Sequence, residues 1–310
     1  MEYLFLIAGL FLLIKGADIF VGGASSIAAK LRVPSLIIGL TVVSFGTSAP
    51  EAAISISASA SGGSAISLGN IIGSNFFNLL AVIGITALII PLNADEEVIR
   101  RDMPINILAS GALIVIILDG VIYWYESLIL LAALAWYLFA VIRRAIKHPT
   151  QKEKRQEYSL FVSIIMSLSG LISVVLGGDT VVENAKIIAK NFGMSEALIG
   201  LTVVALGTSL PELVTSIVAA KKGEAGIAVG NAVGSCLFNI LFITGISGII
   251  KPLKVESELI TDACILTIIS ALIYLFAAKE KNIGKAEGAV CVTLYAAYTA
   301  FIILRAYGFI

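Results

Sequence analysis

The chain contains the stretch Gly39-Leu-Thr-Val-Val-Ser-Phe-Gly-Thr-Ser-Ala-Pro-Glu51, and an almost identical stretch follows 161 residues later. The second copy reads Gly200-Leu-Thr-Val-Val-Ala-Leu-Gly-Thr-Ser-Leu-Pro-Glu212, so 10 of the 13 positions are identical. Each copy is mostly apolar but ends in a glutamate that directly follows a proline. Similarity of this degree does not arise by chance, and it indicates an internal duplication.

The duplication extends well beyond this stretch. At the same offset of 161, Gly69-Asn-Ile-Ile-Gly-Ser-Asn-Phe-Phe-Asn78 matches Gly230-Asn-Ala-Val-Gly-Ser-Cys-Leu-Phe-Asn239 at 6 of 10 positions. The two halves align without a gap from Gly16 to Pro91. The sequence therefore predicts that the chain is built from two related repeats.

Composition predicts that these repeats lie in a membrane. Of the 310 residues, 58% are hydrophobic and only 14% are charged, about half the charged share of a soluble domain. Because a transmembrane helix needs about 20 apolar residues, the chain has room for ten spans joined by short loops. We therefore predict an all-α, polytopic membrane protein with ten transmembrane helices in two inverted five-helix repeats. The predicted spans are residues 3–28, 35–60, 65–91, 103–119, 124–145, 159–188, 196–220, 226–250, 259–278 and 287–306.

The distribution of basic residues predicts the orientation. Counting Lys and Arg on alternate sides of the spans gives 15 on one side and 5 on the other, which places the richer side in the cytoplasm. Both termini are then outside the cell membrane. An odd number of spans per repeat makes the second copy enter from the opposite side. The predicted units are a first repeat at 1–145, a cytoplasmic basic linker at 146–158 and a second, inverted repeat at 159–310.

Inverted repeats are typical of secondary transporters, which hold their substrate near the midplane on interrupted helices and alternate its access to the two sides. A duplicated membrane protein that transports nothing is the other interpretation. The polar residues inside the repeat argue against it, because they have no evident structural use in an apolar span.

Two glutamates carry the functional prediction. Glu51 and Glu212 fall within predicted spans, where an ionised side chain costs several kcal/mol unless it is paired or faces a polar cavity. Neither motif contains a basic residue. At matched positions of an inverted repeat the two carboxylates should meet, and their repulsion must then be offset by bound cations or by protons. A protonated, hydrogen-bonded structural carboxyl remains the alternative.

Oxygen donors surround both glutamates, and no histidine, cysteine or methionine belongs to the predicted ligand set. Each proline frees a backbone carbonyl in the preceding turn, so the carbonyls of Ser44 and Ala205 are candidate donors too. Hard oxygen ligands favour Ca²⁺ and Na⁺ over zinc, copper or iron. Two carboxylates balance one Ca²⁺, two Na⁺ or protons, and competition among these ions provides coupling. The side-chain candidates, besides the glutamates, are Thr47, Ser48, Ser74, Asn78, Thr208, Ser209, Ser235 and Asn239.

The remaining composition suggests no cofactor and no macromolecular partner other than the lipid bilayer. The three cysteines lack CxxC spacing, so neither a disulfide framework nor a zinc site is indicated. Acidic and basic residues both number 21, so nothing suggests a nucleic-acid partner. We expect a transporter and not an enzyme.

The four motif segments resemble the cation/Ca²⁺ exchanger superfamily, in particular its prokaryotic sodium/calcium exchanger branch. The resemblance rests on two copies of Gly-Thr-Ser-x-Pro-Glu, at 46–51 and 207–212, followed by Gly-Asn-x-x-Gly-Ser-x-x-x-Asn at 69–78 and 230–239. It implies electrogenic exchange of several Na⁺ for one Ca²⁺. An aspartate occupies the position of Asn239 in potassium-dependent relatives, so the asparagine here argues against potassium coupling.

The resemblance also implies roles for individual residues. Glu51 and Glu212 would be the central Ca²⁺ ligands, and Ser44 and Ala205 would contribute backbone carbonyls. The Na⁺ sites would be built with help from Thr47, Ser48, Ser74, Thr208, Ser209 and Ser235.

Other functions remain open at this stage. The same glutamates could support H⁺/Ca²⁺ antiport, although the hydroxyl-rich motif favours Na⁺. A passive channel is possible, whereas an intramembrane hydrolase would need an asymmetric site that the near-symmetric sequence does not provide. Lys15 and Asp18, one turn apart in the first span, are interpreted as a local ion pair or as snorkelling side chains, with a gating or proton role as the alternative. Asp179 repeats the second of them.

Overall fold

A computed structural model describes residues 1–147, 158–194 and 205–307. Nearly all of this described part is helical, so the predicted all-α class is confirmed. Four two-residue strands tie loops together, β1 (Leu92–Asn93) pairing antiparallel with β4 (Asn282–Ile283), and β2 (Val121–Ile122) with β3 (Leu253–Lys254).

The helical elements follow one another with short connections. The first part of the chain forms α1 (Glu2–Leu31), α2 (Ser35–Ile38), the π-helical turn π1 (Gly39–Val43), α3 (Ser44–Thr47), α4 (Ala49–Ser61), α5 (Ser64–Phe76), π2 (Phe77–Val82), α6 (Ile83–Ile89), π3 (Val98–Asp102), α7 (Met103–Ile117) and α8 (Trp124–Lys147). The second part forms α9 (Leu160–Asn191), α10 (Ala205–Gly207), α11 (Leu210–Lys221), α12 (Ala225–Leu237), π4 (Phe238–Ile243), α13 (Thr244–Ile250), α14 (Ser257–Glu280) and α15 (Lys285–Ala306).

Seven helical segments of the described chain are long and apolar enough to cross a membrane, and a bent pair makes an eighth if it counts as one span. Two of the ten predicted spans are not among them. The span predicted at 103–119 corresponds to α7, which has only 15 residues. The span predicted at 196–220 lies partly outside the described residues. The seven segments are Glu2–Leu31, Ser64–Ile89, Trp124–Lys147, Leu160–Asn191, Ala225–Ile250, Ser257–Glu280 and Lys285–Ala306; the bent pair is Ser35–Thr47 with Ala49–Ser61.

The helix breaks lie in the duplicated glutamate motif. At Ser48 the backbone leaves the helical region (φ −83°, ψ 8°), and the two flanking helices are bent by 50°. Ser209 has nearly the same conformation (φ −96°, ψ 9°). A new helix begins at the next residue in each case, with the proline in its first turn, where the missing N–H costs nothing. The motif thus places each glutamate at the start of a helix.

The two segments Ser64–Ile89 and Ala225–Ile250 form the centre of the molecule. They are the most buried of the candidate spans, at 83% and 78% of their apolar windows, whereas the first segment is buried over only 33%. Each is widened by a π-helical turn, π2 or π4, whose second residue is Asn78 or Asn239. Such turns are frequent at functional sites because they redirect side chains and backbone groups.

Helices α1 and α9 pack along each other with their backbones in direct contact. A β-carbon added to Gly170 would lie 2.4 Å from the backbone nitrogen of Phe20, and one added to Gly16 would lie 2.7 Å from the β-carbon of Ser173. Small residues permit this close approach, which is a common way for helices to associate in membranes. The pair lies against the rest of the bundle mainly through α11 and α2.

The local ion pair predicted between Lys15 and Asp18 is wrong. The Asp18 carboxylate instead lies 2.9 Å from the ammonium of Lys222, which follows the end of α11. The same ammonium donates a 2.6 Å hydrogen bond to the backbone carbonyl of Asp18. Spacing along one helix could not reveal this partner, because it comes from a helix about 200 residues away in sequence.

Candidate cation site

The two halves of the chain exchange hydrogen bonds at the helix breaks. The Ser48 hydroxyl donates to Oε1 of Glu212 at 2.8 Å, and the Ser209 hydroxyl donates to Oε1 of Glu51 at 2.7 Å. These bonds join matched positions, since 48 and 209, like 51 and 212, differ by 161. Each half therefore holds the carboxylate of the other, as the predicted meeting of the two glutamates requires.

Both carboxylates are fully buried. Glu51 and Glu212 have 0% exposure, and they lie close enough for their charges to repel. Among the residues that the structure describes, no basic side chain pairs with either one. Oε2 of each glutamate has no hydrogen-bond donor within the described chain. The first turn of each helix, where the glutamate lies, offers a weak positive potential that does not replace a counter-ion.

Hydroxyl groups from the neighbouring helices complete this cluster. Ser74 Oγ lies 3.4 Å from Ser209 Oγ, and Ser235 Oγ lies 3.5 Å from Oε1 of Glu212. The Ser235 hydroxyl is also 3.5 Å from the carbonyl oxygen of Ser44. All of these groups are buried. Eight of the twelve candidate residues thus lie in or beside one oxygen-rich cluster: Ser44, Thr47, Ser48, Glu51, Ser74, Ser209, Glu212 and Ser235.

The expected release of the Ser44 carbonyl by the proline is wrong. This carbonyl accepts a 3.0 Å hydrogen bond from the backbone N–H of Ser48, so the helical bond is intact there. A proline removes the bond to the residue four positions earlier, and for Pro50 that residue is Gly46. The Ser44 oxygen keeps a second lone pair, to which Ser235 is close.

The two threonines differ although their motifs match. The Thr47 hydroxyl is buried and lies 3.0 Å from Oδ1 of Asn231 and 3.1 Å from the Val43 carbonyl. The Thr208 hydroxyl oxygen is buried without a hydrogen-bond partner in the described chain. Ala205 is the first residue of α10, and its side chain lies outside the described part of the chain.

This arrangement is suited to binding cations. Two adjacent carboxylates with a formal charge of −2 are costly in a buried site unless positive charge accompanies them. The donors around them are carboxylate, hydroxyl and carbonyl oxygens, which are the ligands that Na⁺ and Ca²⁺ prefer.

Comparison with known proteins agrees with this geometry. The family model described as "Sodium/calcium exchanger protein" matches residues 1–143 and 162–304. The chain belongs to the sodium/calcium exchanger family. The match covers both halves of the chain and leaves out the polar segment between them.

Individual members of the family are similar over nearly the whole chain. The sodium/calcium exchanger MaX1 of Methanosarcina acetivorans is 31% identical, with 96% of this chain and 97% of the relative covered. The inner membrane protein YrbG of Escherichia coli (strain K12) is 37% identical over 81% of this chain and 80% of the relative. A structure of the sodium-calcium exchanger NCX_Mj superposes with a TM-score of 0.86 at 33% identity, covering 96% of this chain and 98% of that one. The chain therefore has the polytopic membrane fold of the exchangers.

Two further asparagines belong to the site, and our sequence analysis did not single them out. The Asn70 amide donates to the Glu51 carbonyl at 3.3 Å and to the Ser55 hydroxyl at 2.8 Å. Its counterpart Asn231 donates to the Glu212 carbonyl at 3.2 Å and to a serine hydroxyl, that of Ser216, at 3.0 Å. The signal was present, because both are the second residue of the duplicated Gly-Asn-x-x-Gly-Ser motif. They clamp each glutamate-bearing helix onto the central one.

The last two candidates, Asn78 and Asn239, lie one helical turn beyond Ser74 and Ser235. Both are fully buried. Neither side-chain atom of Asn78 has a hydrogen-bond partner in the described chain, and the same holds for Oδ1 of Asn239. The structure gives neither of them a direct contact with the carboxylates among the described residues.

Proposed function

We propose that this exchanger is an Na⁺/Ca²⁺ antiporter that uses the Na⁺ gradient to move Ca²⁺ across the membrane. The observation that carries the proposal is the pair of fully buried glutamates, held crosswise by Ser48 and Ser209 without a basic partner in the described chain. Either one Ca²⁺ or two Na⁺ neutralises this pair. Because both ions need the same carboxylates, binding of one must displace the other.

The ligands that we assign follow from the geometry and from the family. Glu51 and Glu212 bind Ca²⁺, and the hydroxyls of Ser48, Ser74, Ser209 and Ser235 take part in the Na⁺ sites beside them. We propose as further oxygen donors the side chains of Thr47, Thr208, Asn78 and Asn239 and the carbonyls of Ser44 and Ala205. The names of similar proteins, the sodium/calcium exchanger MaX1 and the sodium-calcium exchanger NCX_Mj, support these ions as substrates.

Alternating access requires one part of the protein to move relative to another. We assign the moving part to α1 and α9, which contact each other closely along glycine-lined surfaces. The central segments around the glutamates are more deeply buried and are suited to remain fixed. The breaks at Ser48 and Ser209 place Glu51 and Glu212 in the first turns of new helices beside the site.

The proposed architecture is two inverted five-helix repeats, residues 1–145 and 159–310, joined by a cytoplasmic linker at 146–158. The crosswise serine–glutamate bonds support it, because they recur at positions 161 residues apart. The asparagine clamps recur at the same offset. Both termini lie outside the cell in this arrangement.

The decisive test is uptake of radioactive Ca²⁺ into proteoliposomes loaded with Na⁺, compared with vesicles loaded with K⁺ or given a pH gradient. Uptake that requires internal Na⁺ is the expected result. Uptake driven by the pH gradient would replace Na⁺ by H⁺ as the coupling ion, which is the second candidate function. Uptake that is equal in all vesicles would indicate a passive channel and contradict antiport.

Variants connect the activity with the site. Glu51→Gln and Glu212→Gln are expected to abolish Ca²⁺ uptake, since each removes half of the negative charge while keeping the shape of the side chain. Glu280→Gln is a matched control, because that glutamate is 67% exposed and its one ion pair among the described residues is with the adjacent Lys279, at 3.8 Å. Normal uptake by either buried variant would contradict the site assignment.

A further inference from the structure

Two matched residues of the repeats touch each other at the centre of the bundle. Asn75 and Cys236 differ by 161 in number, and the Asn75 amide nitrogen lies 3.4 Å from the carbonyl oxygen of Cys236. In return, the Cys236 thiol lies 3.8 Å from the carbonyl oxygen of Asn75. Both residues are fully buried. The halves therefore meet here at equivalent backbone positions that carry different side chains.

The chemistry of this contact fixes the direction of the Asn75 amide. A carbonyl oxygen only accepts hydrogen bonds, so the Asn75 NH₂ group must face Cys236. The other end of the amide, Oδ1, then faces Asn239, whose Nδ2 lies 3.0 Å away. Because Oδ1 also only accepts, Asn239 must turn its NH₂ group toward Asn75. The side-chain oxygen of Asn239, Oδ1, therefore points away from Asn75.

The same constraint does not act on the counterpart of Asn239. Position 236 is the repeat counterpart of Asn75, so an asparagine there would be needed to fix the Asn78 amide in the same way. The residue at this position is a cysteine. Neither atom of the Asn78 amide has a partner in the described chain. The two asparagines therefore differ although their motifs match, because within the described chain a hydrogen bond fixes the orientation of the Asn239 amide and none fixes that of Asn78.

The turned oxygen of Asn239 has the properties of a cation ligand. It is completely buried and has no hydrogen-bond donor among the described residues, which is costly for a polar atom unless a ligand uses it. Asn239 lies one helical turn after Ser235, whose hydroxyl is near Glu212. Residues at this spacing share a helix face.

We propose that Asn75 is a positioning residue. It orients the Asn239 amide so that its side-chain oxygen, Oδ1, faces the transported cation, which makes Asn239 a stronger ligand than Asn78. The proposal rests on the cation exchange proposed above. It assigns the difference between the two halves of the site to a single pair of side chains, Asn75 and Cys236, which do not themselves bind the ion.

The test exchanges these two side chains and asks whether the importance of the two asparagines is exchanged as well. Asn239→Ala and Asn78→Ala are compared in the unmodified chain and in the double variant Asn75→Cys/Cys236→Asn. The Ca²⁺ concentration for half-maximal uptake is measured in proteoliposomes with each variant. In the unmodified chain we expect Asn239→Ala to raise this concentration about tenfold more than Asn78→Ala, equivalent to ~1.4 kcal/mol. In the exchanged chain the order should reverse.

Several outcomes decide the proposal. The same order in both backgrounds would overturn it, because a purely structural role for Asn75 predicts no exchange of roles. If the double variant does not fold, Asn75→Ala is combined with each alanine variant instead. It should cause no further rise in the Ca²⁺ concentration for half-maximal uptake when added to Asn239→Ala, but its full effect when added to Asn78→Ala. Full additivity in both combinations would also overturn it. An unmodified chain without any cation-coupled uptake would instead contradict the proposed function itself.

Discussion

At the scale of single residues, the site depends on side chains that act across the boundary between the halves. Ser48 and Ser209 each donate to the glutamate of the opposite half. A hydroxyl can donate its proton to the carboxylate and still offer lone pairs to a cation. The same two serines are therefore placed to hold the carboxylates in position and to bind ions beside them.

We predict that Ser48→Ala and Ser209→Ala weaken cation binding by similar amounts. A hydrogen bond to a charged group contributes about 1.5–3 kcal/mol, so the Ca²⁺ concentration for half-maximal uptake should rise about tenfold or more. The measurement is concentration-dependent uptake into Na⁺-loaded proteoliposomes. Threonine at either position keeps the hydroxyl and should restore much of the affinity. An alanine variant with unchanged affinity would remove that serine from the site.

The asparagine clamps lead to a second prediction at this scale. Asn70→Leu and Asn231→Leu should each lower the free energy of unfolding by about 1–3 kcal/mol. In each variant the backbone carbonyl of Glu51 or Glu212 loses the hydrogen bond from the asparagine amide. Asn231→Leu should have the larger effect, since Thr47 also contacts its Oδ1. Thermal unfolding in detergent measures the difference. Equal stability of both variants and the unmodified chain would show that these bonds do not hold the helices together.

At the scale of helices, some features could be predicted from sequence and others could not. The break before Pro50 and its repeat before Pro211 follow from local chemistry, because proline fits the first turn of a helix and not its interior. The partner of Asp18 could not be predicted, since it depends on how α11 lies against α1. The contact between Asn75 and Cys236 was equally hidden, because only the three-dimensional relation of the repeats brings these matched positions together.

The close packing of α1 against α9 gives a prediction at this scale. Gly170→Ala should destabilise the protein by about 1–3 kcal/mol, because the added methyl group would lie 2.4 Å from the backbone nitrogen of Phe20. Gly111→Ala in α7 is the control, since a β-carbon there meets nothing within 4 Å. The control should be neutral or slightly stabilising, as alanine favours a helix over glycine. Equal unfolding temperatures for the two variants would contradict backbone contact between α1 and α9.

At the scale of the whole molecule, the charge carried in one cycle depends on how many Na⁺ exchange for one Ca²⁺. If one Ca²⁺ exchanges for three Na⁺ or more, as the resemblance implies, net charge crosses the membrane, and a membrane potential must change the rate. We expect an inside-positive potential, set with K⁺ and valinomycin, to accelerate Ca²⁺ uptake into Na⁺-loaded proteoliposomes and an inside-negative potential to slow it, since each such cycle moves net positive charge outward as Na⁺ leaves. An uptake rate that is independent of the potential would indicate electroneutral exchange.

The inverted relation of the halves can be tested with one pair of matched positions. Ala60 and Lys221 differ by 161 in number, and both are exposed at the ends of α4 and α11. In an inverted repeat these positions must lie on opposite sides of the membrane, with Lys221 on the basic, cytoplasmic side. Cysteine placed at each position, in a chain whose native cysteines have been replaced by alanine, is reacted with a membrane-impermeant maleimide in intact cells. We expect Ala60→Cys to react from outside and Lys221→Cys only after the cells are opened. Labelling of both positions from the same side would contradict the inverted relation of the two repeats, on which the proposed alternating access depends.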